Sequence, residues 1–177
     1  NEVRQELSEL LREIGQLNGR DTGGRILDVT YESRPDIGPG KFMRFDLLGM
    51  DVFYNRESRS FKITMENYIT KKIQEKLDVK CTKPVYSPNF DENLIKESVE
   101  NNIKPLSSDF NLRKWIGALQ WVASSARPDV SVPIATLARY VNETPTVSMA
   151  KACRKIAKYL ITTKNFGVGY NPQQEKK

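Results

Sequence analysis

Apolar residues recur at helical spacing along some stretches of the chain and at strand spacing along others, and the change of period divides it into elements. Val3, Leu7, Leu10, Leu11, Ile14 and Leu17 fall three or four apart, which predicts an opening amphipathic helix ended by Asn18-Gly19. Glycines and prolines between Gly23 and Gly40 punctuate a segment in which Ile26 to Tyr31 reads as a short strand. Met43 to Tyr54 and Ser60 to Ile63 are β-prone runs on either side of residues 55–59, a hairpin signal. Thr64 is placed to cap a helix from Met65 to Leu77 whose apolar side is Tyr68, Ile69, Ile73 and Leu77. From Val79 to Ser108 the periodicity fades, and Pro84, Pro88 and Pro105 mark a long connection holding a short helix near Asn93 to Glu100.

The sharpest pattern lies between Asn111 and Val130. Wound as a helix, Leu112, Trp115, Ile116, Leu119, Val122 and Ala123 fall within roughly 120°, and Arg113, Gly117, Gln120, Trp121 and Ser124 within roughly 100° of the opposite side. Glycine inside a helix costs about 1 kcal/mol against alanine, so Gly117, one turn from both Arg113 and Trp121, marks a place where something bulky nears the backbone. A nucleic-acid groove and a neighbouring helix both fit that description. Ser107 or Ser108 is placed to cap this helix, and Arg127-Pro128-Asp129 to break it. Val130, Ile134, Leu137 and Val141 line a following helix with Pro133 in its first turns. Pro145 starts the last helix, with Val147, Ala150, Cys153, Ala157, Leu160 and Ile161 on its apolar side. Lys151, Arg154, Lys155 and Lys158 form a basic stripe along it, read either as a solvated face or as a polyanion contact.

These elements define an α+β fold: a small antiparallel β-hairpin piece with an N-terminal helix, followed by a helical bundle. The divisions expected are residues 1–80, a proline-containing connection at 81–108, and 109–177, with the connection as seam. At 177 residues and 38% hydrophobic content, the chain is long enough to bury a real core.

Charge sharpens this picture. The net charge is +6, and it is concentrated between Asn111 and Tyr170, where Arg113, Lys114, Arg127, Arg139, Lys151, Arg154, Lys155, Lys158 and Lys164 face only Asp129 and Glu143. The positive field therefore belongs to the same part of the chain as the two-faced helix, which points to a polyanion. Cys81 and Cys153 lie far apart in a chain without histidine, so neither a zinc site nor a disulfide framework is indicated, and a reducing compartment is the default. No run approaches the roughly 18 apolar residues a membrane span needs, and no membrane association is expected. A hydrolase or transferase reading lacks histidine, clustered carboxylates and a glycine-rich phosphate loop.

Several segments in order carry a family likeness: residues 45–52 (FDLLGMDV), 61–69 (FKITMENYI), 83–88 (KPVYSP), 115–121 (WIGALQW) with 126–130 (ARPDV), and 155–160 (KIAKYL) with 166–170 (FGVGY). Together they resemble the region after the catalytic palm motif in copia-type LTR-retrotransposon reverse transcriptases, over nearly the whole stretch from Phe42 to Tyr170, with Trp121 where tyrosine is usual. The resemblance implies a palm-edge piece, a primer grip at Leu48, Gly49 and Met50, and a thumb. In the thumb, Arg113, Gly117, Gln120, Trp121 and Ser124 would track the minor groove of a template–primer duplex, RNA/DNA or DNA/DNA, with Lys151, Arg154, Lys155 and Lys158 nearby. For Gly49 a tight strand or bulge is the other reading. The family places two catalytic aspartates in a Val-Asp-Asp turn, and no adjacent aspartate pair occurs in this sequence. A piece that is inactive alone is therefore expected, following that turn and preceding ribonuclease H. It would carry no cofactor itself, since Mg2+ belongs to the complete polymerase. The implied partners are the duplex and the remaining polymerase and ribonuclease H regions. The implied location is intracellular, in a cytoplasmic particle or the nucleus. In the competing reading, a domesticated retrotransposon-derived protein uses the same helices to bind another protein, with Trp121, Gly117 and Trp115 as a hydrophobic contact.

Overall fold

The structure, a computed structural model, describes Gln5, residues 30–101 and residues 110–172. The expected opening helix, apart from Gln5, lies outside the described residues, as do Ile26 to Val29, Ser107 and Ser108. Among the described residues five strands form one antiparallel sheet in chain order: β1 (Thr30–Ser33), β2 (Lys41–Leu47), β3 (Met50–Asn55), β4 (Ser60–Thr64) and β5 (Gly167–Tyr170). Helix α1 opens as an α-turn at Glu66–Tyr68 and continues as a π-helical stretch, Ile69–Glu75. α2 (Asn93–Glu100), α3 (Leu112–Ser125), α4 (Ser131–Ala138) and α5 (Val147–Thr162) follow, with a 3-10 turn at Pro128–Val130 leading into α4. The mixed α+β class read from the sequence is the class observed.

The β-prone run from Met43 to Tyr54 is two strands, not one. It folds back at Leu48-Gly49, whose φ angles of 55° and 84° make the tight hairpin turn that matches strand twist. The sequence hides this turn because leucine rarely takes a left-handed conformation. The Asp46 carboxylate accepts the Gly49 N–H at 3.1 Å and holds the turn closed. The second hairpin is shaped by Asn55, whose Oδ1 accepts the backbone N–H of Glu57 and Ser58 at 2.9 and 3.0 Å. β5 crosses from the end of α5 to pair with β4, with Ile63 opposite Val168. A Cβ on Gly167 would lie 2.0 Å from the Ile63 carbonyl oxygen, so only glycine permits this approach.

Two caps differ from expectation. Thr64 ends β4 with its hydroxyl buried and without a hydrogen-bond partner among the described residues, and α1 starts at Glu66 after Met65, which gives no side-chain cap. Asn111, not a serine, caps α3 by accepting the Lys114 N–H at 2.9 Å. On α5 the cap is Thr146, directly after Pro145. Val147 is exposed rather than apolar lining, because it sits in the first turn beyond the core.

The main core joins α1, α2, α3, α4 and α5 through Met65, Ile69, Ile73, Ile95, Leu119, Val122, Ile134, Leu137, Ile156 and Leu160. A smaller cluster of Ile37, Phe42 and Phe53 lies on one face of the sheet.

Candidate nucleic-acid interface

α3 presents its two sides as the periodicity requires. Leu112, Trp115, Ile116, Leu119, Val122 and Ala123 are all buried, while Arg113, Gly117, Gln120, Trp121 and Ser124 are exposed. Trp121 keeps 39% of its surface, unusual for an indole with a core beside it. A Cβ added at Gly117 would meet nothing within 4 Å, so among the described residues no neighbouring helix uses this glycine to come close. The notch is open. Arg113 Nη2 donates to Asn142 Oδ1 at 3.2 Å, which leans the guanidinium toward the loop between α4 and α5. Ser124 Oγ donates to the carbonyls of Gln120 and Trp121 at 3.0 and 3.2 Å, which satisfies the hydroxyl at the helix surface. The face thus offers a cation, a gap and an indole along about 12 Å of helix, at 1.5 Å rise per residue.

The α5 stripe is partly as expected. Lys151, Arg154 and Lys155 are exposed, and Lys158 is half-buried. The Arg154 guanidinium lies over the Phe110 ring at 5.9 Å, and Phe110 stacks on Trp115, so the stripe is tied to the start of α3. Among the described residues no hydrogen bond or ion pair connects the stripe to Arg113, Gln120, Trp121 or Ser124. In the β2–β3 turn, Leu48 projects with 75% of its surface exposed, Gly49 is half-buried beside Tyr68, and Met50 packs against the helical core. An exposed leucine at positive φ stores strain, a feature that clusters at functional sites.

One basic residue is withdrawn from the surface. Arg127 is buried. Its Nε and Nη2 donate to the two Asp129 carboxylate oxygens at 2.9 and 2.8 Å, and Nη1 and Nη2 donate to the Thr163 carbonyl and hydroxyl at 2.8 and 2.7 Å. The Tyr159 hydroxyl donates to Asp129 at 2.7 Å. Burial opposes charge on Asp129, but the bonds from Arg127 and Tyr159 and the Arg127 charge outweigh it, leaving the carboxyl below its ordinary range. Arg127 therefore cannot contribute to the field a polyanion meets. The sequence shows Arg127-Pro128-Asp129 as a helix breaker and Arg127 as one of the field's cations, and its burial is hidden because the partners at the end of α5 are thirty or more residues away.

Sequence reading also missed an open polar cleft of about 440 Å³ between the sheet and α1, lined by Glu32, Arg34, Arg44, Phe53, Lys71 and Lys164 among others. Arg34 lies 4.2 Å over the Phe53 ring and pairs with Asp36 at 2.9 Å, and Arg44 pairs with buried Asp51 at 2.9 Å. The Arg34 and Lys62 bonds hold the Asp36 carboxyl well below the usual range. Among the described residues no cluster of His, Cys, Asp or Glu could hold a metal ion, so no chemistry is assigned to one. None of the described helices is long and apolar enough to cross a membrane.

The fold and this surface define an α+β protein with an open cation–glycine–indole helix face and no described metal centre. Among curated proteins, a putative transposon Ty5-1 protein of Saccharomyces cerevisiae is 24% identical over 131 residues, covering 74% of this chain and 40% of that protein. The chain thus spans well under half the length of that relative, and the similarity supports a retrotransposon origin. No family model matches the chain, and no solved structure matches it.

Proposed function

We propose that the chain is a non-catalytic part of a copia-like reverse transcriptase that grips the template–primer duplex through its backbone and minor groove. The observation that carries this reading is the open notch at Gly117, bordered on one exposed face by Arg113 and Trp121. In a duplex complex the sugar edge enters the notch, the indole packs on it, and the guanidinium reaches a phosphate or base edge. Gln120 and Ser124 add polar groups beside it, and Lys151, Arg154, Lys155 and Lys158 supply a sequence-indifferent field. Leu48, Gly49 and Met50 form the hairpin tip that would meet the primer end. Such contacts read duplex shape, so binding is expected to be salt-sensitive and indifferent to sequence.

Fluorescence anisotropy with an RNA/DNA hybrid, titrated with salt, tests the proposal. Trp121→Ala and Gly117→Leu are each expected to weaken binding by about tenfold, which is 1.4 kcal/mol. No binding at low salt, or variants that bind like the parent chain, would end it. A protein partner retained through Trp121 at high salt would replace it with the interaction-module reading.

A further inference from the structure

Arg113 does not stand alone on its face. Its Nη2 donates to Asn142 Oδ1 at 3.2 Å, and both residues are exposed. A guanidinium carries donors and no acceptor, so the Asn142 atom that meets it is the oxygen, which leaves Nδ2 as the outward half of the amide. Among the described residues, Arg113 Nε and Nη1 and Asn142 Nδ2 make no hydrogen bond, and Arg113 makes no ion pair. The pair's one side-chain acceptor is therefore used internally, and its side chains show solvent only N–H groups. A partner that satisfies several converging donors and brings none of its own is an anion with more than one oxygen.

The loop that carries Asn142 is set without any ligand. Between α4 and α5 the backbone N–H groups of Tyr140, Val141 and Glu143 donate to the carbonyls of Leu137, Ala138 and Tyr140 at 3.0, 3.2 and 3.1 Å, a run of tight turns. Tyr140 and Val141 pack against the main core. The Tyr140 hydroxyl and Arg139 Nη2 donate to the two Glu92 carboxylate oxygens at 2.9 and 3.2 Å, which ties the loop to the residue before α2. That pairing commits the Arg139 charge to Glu92. Glu143 is the one carboxylate between α4 and α5, and among the described residues it makes no ion pair with Arg113, whose charge is left for a ligand. Arg113, Gly117 and Trp121 lie four residues apart along α3, so the pair closes the end of the notch nearest the start of that helix.

We infer that Arg113 and Asn142 form a seat for one phosphate of the duplex backbone, in which Asn142 holds the guanidinium in place and donates its own Nδ2 hydrogen to the same phosphate. The inference rests on the duplex reading of the α3 face and adds to it a residue from another element. Fixing a long arginine in the free protein lowers the ordering cost that would otherwise fall on binding.

The test is a double-mutant cycle in fluorescence anisotropy with an RNA/DNA hybrid, each variant titrated with salt. Arg113→Ala is expected to weaken binding about tenfold and Asn142→Ala about fivefold, but the double variant only about tenfold, because without the guanidinium there is no seated phosphate for Asn142 to hold. Arg113→Ala should also lower the salt slope by about 1, and Asn142→Asp, of the same shape, should lower it by about as much by drawing the guanidinium into an ion pair. Additive losses of about fiftyfold in the double variant, an Asn142→Ala chain that binds like the parent, or an Asn142→Asp slope equal to the parent's would overturn the inference, while binding that still depends on Trp121 would leave the duplex reading standing. A parent chain that binds no duplex would end both. Circular dichroism and thermal melting of the two Asn142 variants separate a lost contact from a lost fold.

Discussion

The helical bundle and the inner side of the sheet are held together by different contacts. In α3 and α5 the apolar stripe is inside and the charged stripe outside. In β3 the polar residues Asp51 and Asn55 are inside with Phe53, and Met50, Val52 and Tyr54 are the more open ones. The bundle follows from the hydrophobic effect alone, since each helix hides its apolar side against the others. The sheet's inner side is held by directed bonds instead: Asp51 accepts from Arg44 at 2.9 Å and from the Asn67 side chain at 2.6 Å, and Asn55 Nδ2 donates to the Lys41 carbonyl at 3.2 Å. The bundle's core is therefore assembled from apolar side chains alone, whereas the sheet's inner side sets Phe42 and Phe53 among bonded polar groups.

The largest expected contrast is in side-chain truncation. Leu119→Ala, at a fully buried position, should destabilise by about 3 kcal/mol, and Val52→Ala on the outer sheet face by about 1 kcal/mol or less. Urea unfolding of both variants checks this, and a Val52 cost equal to that at Leu119 would show the outer face to be as covered as the core.

Two substitutions should raise stability, one on each side of the comparison. Gly117→Ala adds a methyl where nothing stands within 4 Å, so it should stabilise the helix by about 1 kcal/mol while weakening duplex binding. Opposite directions in thermal melting and anisotropy would identify the notch as kept for contact rather than for folding. In the sheet, Thr64→Val removes a buried hydroxyl that has no partner among the described residues and should stabilise by about 1 kcal/mol.

Acid should separate the regions more gently. Asp129 is held below its ordinary range in the fold, so the stability it contributes is present above the unfolded value of about 4 and is lost as pH falls through the lower folded value. Asp129→Asn should therefore flatten the fall in melting temperature below about pH 4. The smallest effect expected is chemical. Burial pushes the Cys153 thiol up to about 12, so at neutral pH a thiol reagent should label Cys81 and leave Cys153 until the chain unfolds.

What was legible in the sequence follows the same division. Helical periodicity alone assigned every buried and exposed position of α3 named beforehand, because a helix buried on one side has no other way to satisfy its apolar residues. A short helix stands at Asn93–Glu100, where one was expected within a stretch of fading periodicity. Signals that depend on distant partners were not legible. Leu48 concealed a turn that an asparagine would have announced, and Thr64 looked like a cap because its place at the end of β4 is set by pairing with Asp51. Arg127 was grouped with the surface cations, and only the return of α5 brings Thr163 and Tyr159 to it. Within the candidate face, exposure of Arg113, Gly117 and Trp121 was readable. The lean of Arg113 onto Asn142 was not, because a loop conformation determines it.

The Arg127 guanidinium has a mechanical consequence. It fastens the junction between α3 and α4 to the far end of α5, so a load applied to the outer side of α3 is passed across the bundle rather than absorbed by one helix bending. A rod pressed into the gap at Gly117 would find a stiff lever behind it.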